Sequence, residues 1–368
     1  MKVKLKDYVQ FSSNHELLEN VDVSKYVSTE NLLADRNGVK FPASNLPTSK
    51  KISIYQKNDI LISNIRPYFK KIWKADCTGP KSNDILAFRT TSSKLLQEYL
   101  YMVLQSDNFF DYVTNTSKGT KMPRGDKSAI RNYEFELPTI EYQRKISNAI
   151  LKLEDKIKLN NRINDNLLEL ITLIWAKYSQ SIDNKVPLKK LAKDIVTGKT
   201  PSTKIKENYG SDIPFVKIPD MHNKVFIDKT VQNLSLLGAD SQKNKYLPAN
   251  SIMVSCIGTP GLVSLTGSIA QTNQQINSLI LDEKYTYWAF LELRSLSEKI
   301  GNLGSGGTTI KNLNKSDFGK LEIVVPNNDR LLNKFNSIAQ PIFESIHTNS
   351  FETNKLNQLK IRLLNKYF

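Results

Sequence analysis

The feature that most constrains this chain is a long heptad pattern in the middle of the sequence. Apolar side chains recur there with alternating steps of three and four residues, at Ile146, Ile150, Leu153, Ile157, Leu167, Ile171, Ile174 and Tyr178. This periodicity predicts one long amphipathic helix that packs on a partner helix, as in a coiled coil. Two amides, Asn160 and Asn164, occupy the centre of the stripe. The partner helix must therefore accommodate a polar break.

The partner helix is predicted to lie in the same chain, because the sequence contains an internal repeat. A shift of 189 residues, the difference between positions 346 and 157, superimposes a second seam on the first: Ile157 falls on Ile346, Asn160 on Asn349, Leu167 on Leu356 and Ile174 on Leu363. Upstream of each helix, a loop rich in Gly and Lys leads into an alternating strand that ends at Pro138 or Pro326. The two halves also open alike, with "VKLKDYV" and "VPLKKLA".

The repeat predicts an α+β protein with two similar mixed α/β domains and two long antiparallel helices, related by a pseudo-twofold axis and paired as an intramolecular coiled coil. At 368 residues, the chain is long enough for two domains with real cores. We place the first domain at residues 1–139, its helix at 140–180 and a junction at 181–187. The second domain covers residues 188–326, and its helix covers 327–368.

The repeated polar break suggests a device that sets the register of the helix pair. In an antiparallel arrangement, Asn160 and Asn349 would lie near the middle, where a buried amide pair specifies register at some cost in stability. The alternative is a solvent-facing local break in each helix. We favour the register device because the break recurs at the same place in both repeats.

Charge indicates the kind of partner. Lys and Arg number 52 against 36 acidic residues, a net charge of +16, and such an excess favours a polyanion such as nucleic acid. The first residues, "MKVKLKDYVQF", lack the apolar run of a signal peptide, and no apolar segment reaches the ~20 residues of a membrane span. Cys77 and Cys256 lie far apart in apolar, strand-like surroundings, which supports neither a disulfide framework nor a zinc site. We therefore expect a cytoplasmic protein.

In the first domain, two basic segments are candidate DNA contacts. One is a Gly- and Pro-broken loop, and the other interleaves cations with Tyr68, Phe69 and Trp73. Such loops bind phosphates and can reach base edges. The alternative for the aromatic residues is a place in the core. The candidates are Arg66, Lys70, Lys71, Lys118, Lys121, Arg124, Lys127 and Arg131.

In the second domain, three segments supply candidate contacts. They combine lysines and hydroxyls with amides of the type that pair with adenine, although the amides could instead form a polar strand turn. Because the two domains carry different side chains at matching places, they would read different sequences. The candidates are Lys199, Thr200, Ser202, Lys204, Lys206, Asn273, Gln274, Gln275, Thr308, Thr309, Lys311 and Lys315.

Catalytic motifs are weak. "TGKT" lacks the upstream glycine of a phosphate-binding loop, and the three histidines do not have metal-ligand spacing. Asp220, Asp282 and Lys284 loosely fit a nuclease pattern that is short enough to arise by chance. We expect a non-catalytic chain with no cofactor or metal of its own. A self-contained nuclease, a protein-binding coiled-coil adaptor and an RNA-binding module remain the alternatives.

Taken together and in order, these segments resemble the specificity subunit of type I restriction–modification systems over nearly the whole chain. The matching segments are "LPTIEYQRKI", "GKTPSTKIKENYGSDIPFVKIPD", "AQTNQQINSLI" and "GTTIKNLNKSDFGKLEIVVP". One departure is that "VPNNDRLLNKF", before the second helix, lacks the glutamine that the first repeat has at Gln143.

The resemblance implies that the two domains are target-recognition domains for duplex DNA. Each would bind one half of a bipartite, asymmetric target, and the coiled coil would set the spacer between the halves. It further implies that two methyltransferase (modification) subunits dock on the helices and methylate adenine with S-adenosylmethionine. ATP-powered restriction subunits would join that core, so that all catalysis lies in the partners.

Overall fold

The computed structural model describes residues 1–12, 14–305 and 313–368. The chain divides into two compact units: Met1–Ile157 with Leu356–Phe368, and Lys158–Lys355. No helix among the described residues is long and apolar enough to cross a membrane.

Among the described residues, the first unit contains nine strands, three short α-helices, the start of one long helix and the end of another. The strands are β1 (Lys2–Lys4), β2 (Val9–Phe11), β3 (His15–Leu17), β4 (Lys51–Tyr55), β5 (Ile60–Ser63), β6 (Ile72–Lys74), β7 (Gly79–Lys81), β8 (Ile85–Thr90) and β9 (Glu134–Glu136). The helices are α1 (Gln97–Gln105), α2 (Asp107–Asn115), α3 (Lys127–Arg131) and the long α4 (Ile140–Ser179).

Three antiparallel sheets form this unit, with strand orders β2-β8-β5-β6, β3-β4-β7 and β1-β9. The central strand β5 reads "ILIS" and is buried at every position, because other parts of the unit cover both of its faces. Helices α1 and α2 bury Leu100, Phe109 and Phe110 in the core beneath this sheet.

In the part of the second unit that the structure describes there are eleven strands. These are β10 (Lys185–Pro187), β11 (Asp194–Thr197), β12 (Tyr209–Gly210), β13 (Ile213–Val216), β14 (Phe226–Ile227), β15 (Asn233–Leu234), β16 (Ile252–Ser255), β17 (Val263–Thr266), β18 (Gln271–Thr272), β19 (Ile276–Ile280) and β20 (Glu322–Val324). The helices are α5 (Leu188–Leu191), α6 (Ile218–Met221), α7 (Leu236–Asp240), α8 (Glu283–Ser295), α9 (Ser297–Ser305), α10 (Lys315–Lys320) and α11 (Asp329–Tyr367).

Strand order confirms the internal repeat. The second unit has the order β11-β19-β16-β17-β14, in which the first four strands correspond to β2-β8-β5-β6. The register also agrees, because Ile85 pairs with Ser63 in the first unit and Ile276 pairs with Ser255 in the second. The extra strand, β14, pairs in parallel with β17. Both repeats are therefore the mixed α/β domains that the sequence predicts.

The long helices run antiparallel within the second unit. Tyr178 packs edge-on against Phe335 with ring centroids 6.3 Å apart. Further along, Asn349 Nδ2 donates to Asn164 Oδ1 at 3.0 Å. Rising residue numbers on α4 therefore match falling numbers on α11.

In the first unit, the start of α4 and the end of α11 also pack together. Ile146 and Ile150 share a core with Leu364. Next to them, Lys360 Nζ lies 3.4 Å from Glu154 Oε1, and both residues are buried. The predicted antiparallel pairing is thus present in each unit.

The amide pair differs from the expected one. Asn349 bonds Asn164 rather than Asn160, whose Nδ2 instead donates to Glu352 Oε2 at 2.7 Å. The register sets Asn349 against a residue about one helical turn further along α4. Asn160 has no solvent exposure, which excludes a solvent-facing break. Of the predicted seam residues, Asn160 and Ile346 are buried, and the others are half-buried: Ile157, Leu167, Ile174, Asn349, Leu356 and Leu363.

Candidate nucleic-acid interface

The two basic segments of the first unit lie side by side. Backbone hydrogen bonds join them, from Arg66 N to Pro123 O at 2.8 Å and from Gly125 N to Asn64 O at 3.0 Å. Segments 64–71 and 118–126, which the sequence suggests separately, therefore form one surface, which we call the basic surface of the first unit.

The loop at residues 118–124 closes on itself. Lys118 N donates to Arg124 O, Arg124 N donates to Lys118 O, and both distances are 2.9 Å. Gly119 adopts a φ of +93°, which favours glycine. Lys121 and Met122 at the tip are exposed. The fold therefore presents these side chains on a preformed loop.

The exposed cations of this surface fall into two groups. In the first group, each cation forms an ion pair. Lys118 Nζ lies 2.6 Å from Asp126 Oδ2, and Arg124 Nη2 lies 3.3 Å from Asp84 Oδ1. Because these pairs are solvent-exposed, each is worth little and can exchange its carboxylate for a phosphate. Among the described residues of segments 64–71 and 118–131, four exposed cations have no carboxylate within ion-pair distance: Arg66, Lys121, Lys127 and Arg131. Arg131 also stacks over the Phe11 ring at 5.2 Å.

Lys70 and Lys71 are tied into the fold more firmly. Lys70 Nζ lies 2.5 Å from Asp107 Oδ1, an oxygen that Arg36 shares. Lys71 Nζ donates to Thr29 O at 2.5 Å, and desolvation lowers its pKa. These two side chains hold segment 64–71 in place.

The aromatic residues of that segment are divided between core and surface. Trp73 is buried in a core cluster, as the alternative interpretation expected. Tyr68 and Phe69 remain 46% and 39% exposed, and Met122 on the neighbouring segment is 48% exposed. The basic surface therefore includes apolar and aromatic groups that could stack on bases or contact a thymine methyl.

In the second unit, the segment around Lys199 lies against the amide-rich turn. Lys199 N donates to Thr272 O at 2.9 Å, and Thr200 Oγ1 donates to Gln274 Oε1 at 2.7 Å. A Cβ on Gly198 would lie 2.1 Å from Asn273 O, so only glycine permits this approach. The fold thus unites two segments that are about 70 residues apart in sequence.

The three amides of the turn differ in exposure. Asn273 is buried, and its Nδ2 donates to Gln275 Oε1 at 2.9 Å. Gln275 N in turn donates to Asn273 Oδ1 at 3.2 Å. Gln274 is exposed, and its amide nitrogen donates to none of the described residues. Gln274 is therefore the amide best placed to meet a ligand.

The remaining candidates of the second unit are mostly solvent-exposed. Lys199, Ser202, Lys204 and Lys206 are exposed, and Lys315 lies 3.8 Å from Asp194. Thr308, Thr309 and Lys311 fall outside the described residues.

Sequence reasoning missed two residues that shape the first surface. Asn64 O accepts from Gly125, and Asn64 N donates to Asp84 O at 2.8 Å. Asp84 stands at the position of Gln275 in the amide turn of the second unit, since Ile85 and Ile276 are equivalent in register. Asn64 directly follows Ser63, the counterpart of Ser255 in the same register. Aligning "KSND" with "TNQQ" would have identified Asp84.

The residues of the nuclease alternative are engaged elsewhere. Asp220 is buried and accepts hydrogen bonds from the backbone amides of Lys217 and Val231. Asp282 pairs with Lys193, and Lys284 pairs with Asp329. In the part of the chain that the structure describes, no three His, Cys, Asp or Glu residues are grouped so that they could hold a metal ion.

Known proteins share this organisation. A family model for the type I restriction modification DNA specificity domain matches residues 2–169 and again residues 184–360. The chain is 31% identical to the type I restriction enzyme HindI specificity subunit of Haemophilus influenzae, with 87% of each chain covered. It is 25% identical to the MjaIX specificity subunit of Methanocaldococcus jannaschii, covering 86% of this chain and 78% of that one.

Among solved structures, the fold is similar to that of the type I restriction–modification S subunit from M. genitalium. The TM-score is 0.60 at 13% identity, and the comparison covers 100% of this chain and 96% of that one.

Proposed function

Because the chain belongs to the type I restriction–modification DNA specificity family, and is therefore a non-catalytic DNA-recognition subunit, we propose that each of its domains reads one half of a bipartite, asymmetric target. The observation that carries this proposal is the repeated domain with unlike recognition segments. The first unit offers an arginine and lysine loop, whereas the second offers an amide turn. Two unlike readers on one chain suit a target with two different halves.

In the first domain, Arg66, Lys121 and Arg124 are our candidates for base contacts. Arginine pairs bidentately with guanine in the major groove, and Lys can contact the same edge. Lys118, Lys127 and Arg131 would bind phosphates, which position the duplex without reading its sequence. Lys70 and Lys71 act mainly by holding the segment that presents Arg66.

In the second domain, Gln274 is the candidate for adenine, because an exposed amide can donate to N7 and accept from N6. Thr200 orients it, while Asn273 and Gln275 shape the turn. The candidates for contacts from hydroxyl and lysine groups to the DNA backbone are Lys199, Ser202, Lys204, Lys206, Thr308, Thr309, Lys311 and Lys315.

The chain has DNA and other restriction–modification subunits as partners. We propose that these are two methyltransferase subunits docked on the long helices, joined by restriction subunits, in the cytoplasm. Helix α4 carries exposed apolar residues on one face, which would suit such docking: Leu159, Ile163, Leu170 and Leu173. S-adenosylmethionine and ATP would be bound by these partners.

A map of adenine methylation across the genome, with and without the gene for this chain, tests the proposal. Loss of a single gapped, two-part motif on deletion supports it. An unchanged map, together with no salt-dependent duplex affinity of the purified chain, would favour the protein-binding adaptor. Metal-dependent cleavage by the chain alone would favour the nuclease.

A further inference from the structure

Three polar residues stand in a row across one sheet of the first unit. His15 in β3 pairs with Ser53 in β4, and Ser53 pairs with Lys81 in β7. Residues directly opposite one another on antiparallel strands project from the same face. The row is therefore one polar face rather than three unrelated side chains.

Lys81 is the unusual member, because only 5% of it is exposed. Its Nζ donates to Ile85 O at 3.0 Å, which uses one of three N–H donors. No carboxylate pairs with it among the described residues. Asp59, the acidic group that acts on it through space, is already held by Arg89 at 2.7 Å. Burial, together with the nearby charge of Lys127, lowers the pKa of Lys81 to about 8.

The row borders a cavity of about 240 Å³. Its polar lining comprises Ser12, His15, Ser53, Lys81, Asn83 and Lys127, and none of its lining residues is acidic. Ser53 Oγ donates to Asn83 Oδ1 at 3.1 Å. This hydrogen bond uses only the amide oxygen of Asn83, and both protons on its amide nitrogen remain available to another partner. Because Ser53 has only one hydroxyl proton, His15 Nε2, 3.2 Å away, is the donor in their contact. The cavity thus gathers donors and positive charge.

The cavity adjoins the basic surface of the first unit. Lys127 lines the cavity and immediately follows Asp126, the partner of Lys118. Asn83 precedes Asp84, which contacts Arg124 at 3.3 Å. A duplex on this surface would therefore bring its backbone to the mouth of the cavity.

We infer that this cavity binds a phosphate group through Lys81, Lys127 and Asn83. Two ammonium groups with no carboxylate between them repel each other, and a phosphate oxygen removes that repulsion while accepting from several donors. The source of the phosphate is a backbone phosphodiester of duplex DNA, an identification that rests on the proposed function.

The second unit lacks this site. The equivalence of Ile85 and Ile276 in register places Thr272 at the position of Lys81 and Gln274 at that of Asn83. Thr272 is neutral, and its buried Oγ1 has no hydrogen-bond partner among the described residues. The phosphate contact would therefore anchor only one half of the target.

Two measurements on the full chain test the inference with Lys81→Met. The matched control is Lys57→Met, which removes an equal charge from an exposed turn of the same unit. The first measurement is duplex affinity by fluorescence anisotropy, from about 50 to about 200 mM salt, where each phosphate contact contributes close to one unit to the logarithmic slope. We expect Lys81→Met to reduce that slope by about one for any duplex sequence, and Lys57→Met to leave it unchanged.

The second measurement is the melting temperature in inorganic phosphate against chloride at equal ionic strength. A specific site gives a saturable rise in the wild type and in Lys57→Met, and none in Lys81→Met. A rise without a change in the DNA slope would overturn DNA as the source and leave a site for a free phosphate compound. Absence of both effects would overturn the inference altogether.

Lys127→Met serves as a second variant, because Lys127 is exposed and its loss should not disturb folding. It should lower the salt slope and the response to phosphate even if Lys81→Met proves unstable by circular dichroism. The phosphate measurement does not depend on a methylation motif. The site and the proposed function can therefore fail separately.

Discussion

Asn349 donates from Nδ2 to Oδ1 of Asn164 at 3.0 Å inside the antiparallel helix pair. Asn164 then donates its own amide protons to Ile346 O at 3.2 Å and Ser350 Oγ at 3.1 Å. One amide therefore links two turns of the opposite helix. A slip of one heptad would leave these groups unpaired in a half-buried seam, which is how polar residues specify register.

Replacing Asn164 by Leu should destabilise the chain by about 1–2 kcal/mol, because the Asn349 amide loses its acceptor. The double variant Asn164→Leu, Asn349→Leu should recover most of that loss, since both polar groups are then gone. Urea denaturation of the four proteins of this mutant cycle measures the coupling. If the stability losses of the two single variants simply add in the double variant, the two asparagines do not act as a unit.

The side chain of Gln143 links the first turn of α4 to the first unit by hydrogen bonds. Its Oε1 accepts from Leu96 N at 2.9 Å, while Nε2 donates to the carbonyls of Lys94 and Pro138. The side chain is fully buried. Gln143→Leu should therefore cost about 2–3 kcal/mol through unsatisfied backbone groups, as measured by thermal unfolding. Gln143→Glu keeps one acceptor and serves as the comparison; an unchanged stability in both variants would contradict this role.

Arg124→Ala should weaken recognition of one half of the target by about 10- to 100-fold and leave the other half unaffected, since a good base contact discriminates by about 1–3 kcal/mol. The backbone bonds between Lys118 and Arg124 survive the substitution, so the loop should keep its shape. Binding to duplexes substituted in each half separately is the measurement. Equal losses for both halves would exclude base reading by Arg124.

Gln274→Ala should produce the reciprocal result and relax the other half of the target. Thr200→Val, which removes the hydroxyl that donates to Gln274 at 2.7 Å, should have a smaller effect in the same direction. Methylation maps of cells that carry each variant would show which half of the motif becomes degenerate. If Gln274→Ala and Arg124→Ala affect the same half, the assignment of one half to each domain is wrong.

Stability should also depend on pH through Glu292. Burial raises the pKa of this carboxyl from 4.5 to about 7, although a hydrogen bond from Val324 N opposes the shift. The folded state therefore binds its proton more tightly than the unfolded state does. The resulting stability is complete below about pH 4.5 and is lost as the pH rises through 7.

Glu292→Gln keeps an acceptor for Val324 and removes the ionisation. It should stabilise the chain by about 1–3 kcal/mol at pH 8 and have little effect at pH 4.5. Denaturant titrations at both values measure the difference. A stabilisation independent of pH would point to packing rather than to the charge.

The sequence alone determined the repeat, the mixed α/β class of its halves, the two long helices and the family. The repeat, the class and the helices follow from local periodicity, and the family follows from the resemblance of several segments in their order along the chain. Tertiary contacts alter none of these. The sequence also shows that the second repeat lacks the glutamine, because Leu332 stands at the position of Gln143. In the structure, this leucine is buried.

Only the tertiary structure decided which polar groups meet. The shift of 189 residues, from Ile157 to Ile346, equates Asn160 with Asn349, but the packing of α4 on α11 sets Asn349 against Asn164. Likewise, nothing in "GPK" signals that Lys81 is buried beside Lys127, because that placement depends on strands β3, β4 and β7 coming together. Side-chain periodicity specifies which face is apolar, whereas the partner of each polar atom depends on residues far apart in the chain.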